Sequence, residues 1–175
     1  MLTTLLILLA VFGGIGAYLE YSVYREISAP TEILNPSGAK TALVLYHPGL
    51  TDFARSIAYT YADGLVSSGW RVEIATASPK APTDLSNYSL LVLSWPVYDL
   101  NPGPTITNHI HRIGNLNGIN TTVIAIGGGV DPLNAPKAMD KIVQDANGTI
   151  IQSVTSFRSQ HNQEAIREDA NKITH

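Results

Sequence analysis

The chain has 175 residues, a length that suits one domain with a sizeable core. Charged residues make up only 14% of it and the net charge is -3, so no basic surface favours nucleic acid as a partner. Because the sequence contains no cysteine, disulfides, thiolate catalysis, iron–sulfur clusters and zinc–thiolate sites are all excluded.

Residues 1–25 predict a transmembrane anchor. No charged residue occurs from Leu2 to Leu19, and this helical length, at about 1.5 Å per residue, would extend roughly 27 Å, enough for a bilayer core. Tyr18, Tyr21 and Tyr24 follow at three-residue spacing and suit the headgroup zone of a membrane. A cleaved signal peptide is the alternative, disfavoured because no cation precedes the apolar run and no clear cleavage site follows it.

The cations beside this segment predict its orientation. None precedes it apart from the terminal amine, whereas Arg25 and Lys40 follow it. This bias favours a single-pass membrane protein whose soluble domain lies in the cytoplasm, with membrane lipid as a partner of the helix. Residues 26–39 contain two prolines and a Ser-Gly pair and are predicted to be a linker, so the folded domain is expected to cover 40–175.

Strand and helix patterns alternate along that domain. The predicted strands are Thr41–Tyr46, Trp70–Ser78, Ser89–Trp95, Thr121–Gly129 and Gly148–Phe157. The predicted helices are Thr51–Ser68, Thr105–Ile113, Pro132–Ala146 and Gln163–Ile173. Such alternation indicates parallel βαβ units and an α/β fold class.

The character of the strands predicts their order in the sheet. The first, third and fourth strands are continuously apolar, which is typical of strands covered on both faces, whereas the second and fifth are partly polar and fit the edges. A doubly wound five-stranded parallel sheet of order 2-1-3-4-5 meets both conditions. In this order a ligand would meet the loops after strands one, three and four.

The loop after the first strand, "HPGLTD", is predicted to receive a phosphate. It opens a helix, so the backbone N–H groups from Gly49 to Phe53, including those of Leu50 and Asp52, could converge on an anion, together with the Thr51 hydroxyl. Pro48 has no N–H to offer, but a protonated His47 could replace the missing donors.

The other two loops are predicted to hold a flat ring. In "SWPVYDLNPGP", Trp95 and Tyr98 stand three apart and could flank such a ring with their aromatic faces. In "AIGGG", the residues Gly127, Gly128 and Gly129 have no side chains, so the backbone could approach the edge of the ring closely.

Together these loops resemble those of the flavodoxin family, over roughly Lys40–Phe157. "YHPGLTDFARSIA" is similar to the family's Gly-x-Thr-acidic phosphate loop, "SWPVYDLNPGP" to its Pro-x-Tyr loop beside the flavin, and "AIGGG" to its glycine-rich end of strand four. The resemblance implies a flavodoxin-like strand order, FMN as cofactor, electron transfer and a redox protein as partner. The cofactor-binding residues that it implies are His47, Gly49, Leu50, Thr51, Asp52, Trp95, Pro96, Tyr98, Gly127, Gly128 and Gly129.

Two other functions stay open. His47 and Pro48 replace the serine or threonine usual before the family's glycine, which favours a flavodoxin-like module that has lost FMN and binds a ligand or protein. A flavin-dependent reductase acting on a nicotinamide or quinone would need a second substrate site, which the sequence does not reveal.

Metal sites are disfavoured. His109 and His111 stand two apart and would face different sides of a helix. Asp99 and Asp131 could meet at the sheet edge around Mg²⁺, but no acidic pair ends the first strand to complete such a site.

Overall fold

The computed structural model describes residues 2–98, 102–127, 134–158 and 163–173. The helices within these ranges are α1 Leu2–Tyr24, α2 Asp52–Ser67, α3 Pro104–Ile113, α4 Asn134–Asp145 and α5 Gln163–Asn171. The strands are β1 Glu32–Leu34, β2 Thr41–Tyr46, β3 Arg71–Thr76, β4 Leu90–Val97, β5 Asn120–Gly127 and β6 Thr149–Phe157.

The described strands form one sheet of order β1-β3-β2-β4-β5-β6. From β3 to β6 all neighbours are parallel, and Val44 of β2 lies between Ile74 of β3 and Val92 of β4. The predicted doubly wound α/β fold is confirmed, and the five predicted strands keep their order 2-1-3-4-5.

The described residues form six strands, which corrects the five predicted from the sequence. The additional strand is β1, which pairs antiparallel with β3 and places Ile33 opposite Glu73. It falls within the segment 26–39 that the sequence predicts to be a linker. The partly polar β3 is therefore covered at its outer side by a strand of only three residues.

Two apolar layers cover the two faces of the sheet. In β2, Ala42 and Val44 belong to the cluster that includes residues of α2 and α5, whereas Leu43 and Leu45 belong to the cluster that includes residues of α3 and α4. Successive side chains of a strand point to opposite faces, so a strand with both faces covered must be apolar throughout. This explains the continuous apolar run that marks β2 as central.

Helix α1 is attached to the domain through its last turn and the residues that follow it. Val23 O lies 2.7 Å from His47 Nε2, and Ala29 N donates to Thr76 Oγ1 over 3.0 Å. Glu26 forms an ion pair with Arg112 of α3. The rest of the helix is exposed, and Thr3–Tyr24 is long and apolar enough to cross a membrane.

Candidate ligand site at the carboxyl ends of the strands

A cavity of about 230 Å³ opens where β2, β4 and β5 end. The residues that line it are Pro48, Gly49, Leu50, Thr51, Phe53, Ala54, Pro96, Val97, Tyr98, Ile126, Gly127 and Arg158. Of the residues predicted to bind a cofactor, the structure thus brings together Gly49, Leu50, Thr51, Pro96, Tyr98 and Gly127.

A larger cleft of about 510 Å³ lies at the opposite ends of the strands. It is lined mainly by polar side chains, among them Asp84, Ser86, Asn115 and Asn120, and it contains none of the predicted site residues. We regard the smaller cavity as the candidate site, because ligands of doubly wound sheets bind outside the carboxyl ends of the strands.

The turn before α2 has the geometry of an anion-binding site. Gly49 has a φ of +69°, a conformation that glycine adopts without strain. Thr51 precedes the first residue of the helix in an extended conformation, and its side chain makes no capping hydrogen bond. The Thr51 hydroxyl and the positive end of the helix dipole therefore both remain at the cavity for an anionic ligand.

Tyr98 connects the turn to the loop after β4. Its hydroxyl accepts a hydrogen bond of 3.0 Å from Leu50 N, one of the backbone groups predicted to hold a phosphate. Burial raises the pKa of Tyr98 above its ordinary value, so the phenol stays neutral at physiological pH. The side chain is still 43% exposed, so it lies at the surface of the domain and not in the core.

His47 has a different partner from the one that the sequence predicts. The side chain is only 3% exposed and lies outside the cavity lining, with Nε2 positioned to donate to Val23 O of α1. Burial lowers the pKa of His47, which favours the neutral imidazole over the protonated phosphate donor proposed from the sequence. The residue therefore holds α1 at the end of β2.

Trp95 does not flank the cavity, which corrects the prediction from sequence. The side chain has no exposed surface and belongs to the apolar cluster that includes Ile106 and Met139. The reason is the length of β4, which continues to Val97, two residues beyond the predicted end. Trp95 thus lies within the sheet, opposite Ala125, and strand alternation directs it into the core.

The remaining predicted residues lie outside the described cavity or outside the described residues. Asp52 is the exposed first residue of α2, where a carboxylate suits the helix dipole. Gly128 and Gly129 lie outside the described residues, as do Asp99 and Asp131. Among the described residues, no group of three or more histidine and acidic side chains could hold a metal ion.

Arg158 is a cavity residue that the sequence interpretation missed. It follows β6, its backbone N donates to Gly127 O over 3.1 Å, and its exposed side chain is the one cation among the described lining residues. Its position could have been found from the predicted strand order, because the residue after the fifth strand must lie beside the end of the fourth.

The stability of the domain is expected to fall when the pH drops below about 6.5, the ordinary pKa of histidine. Burial lowers the pKa of His47 and of His109, whose Nε2 lies 3.0 Å from Pro82 O. Below about pH 6.5 the unfolded chain therefore binds more protons than the folded chain, and stability decreases by up to about 1.4 kcal/mol per pH unit for each histidine. Above that pH the stabilisation is fully present.

Denaturant unfolding at several pH values between about 5 and 8 measures this dependence. His47→Gln retains a donor for Val23 O without titrating and should flatten the pH dependence by the contribution of one histidine. An unfolding midpoint that stays constant over this range in the unmodified chain would contradict the prediction.

Comparisons with known proteins agree with this geometry at the level of the fold. No protein-family model matches the chain, and no curated protein matches it by sequence. Among solved structures, an archaeal flavodoxin superposes with a TM-score of 0.60 at 12% identity, covering 76% of this chain and 95% of its own. The two-electron reduced flavodoxin of Megasphaera elsdenii gives 0.63 at 14% identity, covering 75% and 98%.

An NADH:FMN oxidoreductase in its apo form gives a TM-score of 0.64 at 14% identity, covering 77% of this chain and 86% of its own. These identities are too low to transfer a ligand from one protein to another. Shared topology over nearly the whole length of these proteins is nevertheless decisive for the architecture, and the chain therefore has the flavodoxin-like fold.

Proposed function

We propose that this chain binds FMN in the cavity at the carboxyl ends of β2, β4 and β5 and carries electrons while anchored in a membrane. One observation carries the proposal: in a flavodoxin-like fold, the turn after β2 and the ends of β4 and β5 line a single cavity beside the first turn of α2, at the switch point between β2 and β4. FMN, when bound, supplies reversible one- and two-electron redox chemistry.

The polar groups that line the cavity fit the phosphate of FMN. The first turn of α2 contributes the dipole and backbone donors, the Thr51 hydroxyl is not used in capping, and Arg158 adds a positive charge. These groups would hold the phosphate and orient the cofactor, with no metal ion required.

The remaining lining residues offer an apolar wall for the ring. Pro96 and Val97 come from β4, Ile126 from β5, and the Tyr98 ring can contribute an aromatic face. The described volume of about 230 Å³ is below the roughly 300–1,000 Å³ of typical ligand sites, so the cavity must widen to admit a flavin. Movement of the half-exposed Tyr98 side chain away from Leu50 N would widen it and free a donor.

The membrane part of the proposal rests on α1. Thr3–Tyr24 meets the length and hydropathy of a single span, and the cations Arg25 and Lys40 favour a cytoplasmic domain. Anchoring would raise the effective concentration of the domain near a redox protein of the same membrane. A reporter fused to the C-terminus should be active only in the cytoplasm, and activity on the other side would reverse the orientation.

Titration of the full chain with FMN in detergent micelles tests the cofactor. We expect saturable binding of one FMN per chain, seen as quenching of flavin fluorescence and a shifted visible absorption spectrum. Riboflavin, which lacks the phosphate, is the control and should bind more weakly. No change in the FMN signal at concentrations that saturate a control flavodoxin would overturn the proposal.

A second function is favoured by two specific contacts. The Tyr98 hydroxyl occupies Leu50 N, and Trp95 is buried where the resemblance implies a stacking wall. Both suit a flavodoxin-like module that has lost FMN and binds another ligand or a protein. A folded chain that binds no FMN in this titration would favour this alternative.

Replacing Tyr98 with phenylalanine is expected to tighten FMN binding about five-fold. The hydroxyl competes with the phosphate for Leu50 N, and one hydrogen bond of this kind contributes about 1 kcal/mol. The aromatic face is retained in the variant. Tyr59→Phe is the control, because Tyr59 donates to Glu32 away from the cavity. Weaker binding by Tyr98→Phe would show that the hydroxyl contacts the ligand itself.

Replacing Arg158 with glutamine is expected to weaken FMN binding about two- to five-fold at low ionic strength, because an exposed charge contributes about 1 kcal/mol or less. Salt screens exposed charges, so the difference should shrink as salt is raised. Arg167→Gln, which removes a partly exposed cation of α5 paired with Asp63, should leave binding unchanged. Equal affinities of the Arg158 variant and the unmodified chain at low salt would contradict the assignment.

A further inference from the structure

The attachment point of α1 lies beside the candidate cavity. His47, which holds Val23 O at 2.7 Å, is the residue directly after β2, and the next residue, Pro48, lines the cavity. The last turn of the apolar helix is therefore fixed at the carboxyl edge, meaning the loops and strand ends that surround the cavity.

The segment that follows α1 is held against the domain and does not act as a free tether. Ala29 N donates to Thr76 Oγ1, at the carboxyl end of β3, and Glu26 pairs with Arg112 of α3. With His47, these contacts fasten the chain on both sides of Glu26. The domain is thus constrained in how far it can tilt away from the end of the helix.

The depth of the end of α1 in a membrane sets the depth of the carboxyl edge. Residues 3–21 of α1 are exposed, so the domain does not cover the apolar part of the helix. Tyr18 and Tyr21 are exposed near its end, where tyrosine rings suit the headgroup zone. Because His47 at the carboxyl edge is bonded to Val23 O, this edge lies at the same depth as the end of the helix.

The two ends of the sheet differ in surface chemistry. At the carboxyl edge the large side chains of Leu50 and Tyr98 are 48% and 43% exposed. At the amino ends of β4 and β5 the surface is the polar cleft that includes Asp84 and Asn115. Strands of six to eight residues, at about 3.3 Å per residue, separate the two ends by roughly 20–26 Å.

We propose that the carboxyl edge lies on the lipid headgroup surface, with Leu50 and Tyr98 in the interfacial zone. The candidate cavity then opens toward the membrane, and its reaction partner must approach along the bilayer. This inference rests on the membrane anchoring proposed above and adds a fixed orientation of the domain to it. The polar amino ends of the strands face the aqueous phase.

The absence of cysteine allows a direct test with single-cysteine variants of the full chain. Leu50→Cys probes the carboxyl edge, Ser86→Cys the opposite end and Leu9→Cys the apolar part of α1. Each is labelled with an environment-sensitive fluorophore and reconstituted into phosphatidylcholine and phosphatidylglycerol vesicles. Quenching is measured with a nitroxide placed high on the lipid acyl chain and with iodide in the water.

Interfacial groups enter the membrane by about 5–10 Å, within reach of a nitroxide high on the acyl chain. We therefore expect the lipid nitroxide to quench the label at position 50 at least about two-fold more than the label at position 86. Iodide should show the reverse order. Equal lipid quenching at the two positions would overturn the orientation. Asp52→Cys and Thr149→Cys, both at exposed sites, repeat the comparison if the first pair folds poorly.

The Leu9 label separates the two possible failures. Lipid quenching at position 9 without quenching at position 50 would leave the anchor intact and reject the docked orientation. No lipid quenching at position 9 would reject the anchor, and the docked orientation with it.

Discussion

Replacing Trp95 with alanine is expected to lower the free energy of unfolding by about 3–5 kcal/mol, the range for large aromatic side chains removed from a core. Trp95 has no exposed surface and is among the largest fully buried side chains of the described residues. Its loss would leave a cavity between the sheet and the cluster that includes Ile106 and Met139. Any loss of ligand binding should be proportional to the loss of folded protein.

Trp95→Phe is the matched control. The indole N–H has no hydrogen-bond partner within the described part of the chain, so phenylalanine removes volume without breaking a buried hydrogen bond. We expect a loss of about 1–2 kcal/mol. Denaturant unfolding followed by circular dichroism measures both variants. Unchanged stability of Trp95→Ala with lower FMN affinity would instead place the ring against the ligand.

Replacing Gly49 with alanine is expected to destabilise the domain by about 2–4 kcal/mol and to weaken FMN binding. The left-handed φ of +69° alone accounts for about 1–2 kcal/mol with any side chain. A Cβ at this position would also lie 2.6 Å from Tyr98 Oη and 2.9 Å from Pro96 Cγ. One of these groups would have to move, and the cavity would change shape.

Gly118→Ala separates the two causes. Gly118 has a φ of +75°, close to that of Gly49, but a Cβ there would meet nothing within 4 Å, so its cost should be the backbone strain alone. The difference between the two variants measures the contact with Tyr98 and Pro96. In the double variant, Tyr98→Ala should recover part of the cost of Gly49→Ala. Equal unfolding midpoints for Gly49→Ala and Gly118→Ala would show that Tyr98 and Pro96 move aside at no cost in stability.

The fold could be predicted because its main signals are local. A strand covered on both faces is apolar at every position, which identified β2, β4 and β5 as central and gave the order of the five parallel strands. The three-residue β1 could not be predicted, since it carries no pattern of its own and forms only because β3 offers a free edge. The part of the predicted site that lines the cavity likewise followed from strand order, which brings Gly49, Pro96 and Gly127 together.

The roles of individual aromatic and basic side chains depended on tertiary structure. Whether Trp95 contacts a ligand or the core depends on where β4 ends. The pairing of Val97 with Gly127 places that end two residues beyond the strand end predicted from the sequence. The partner of His47 is a backbone carbonyl 24 residues earlier in the chain, which no spacing rule relates to it.

The amino-acid sequence by itself determined the apolar N-terminal helix, the alternation of strands and helices and the continuously apolar strands at the centre of the sheet, because each depends on residues close together in the chain. Only the tertiary structure decided that Tyr98 occupies the amide of Leu50 and that His47 fixes α1 beside the cavity. These contacts join distant segments, and their formation depends on the packing of the whole sheet.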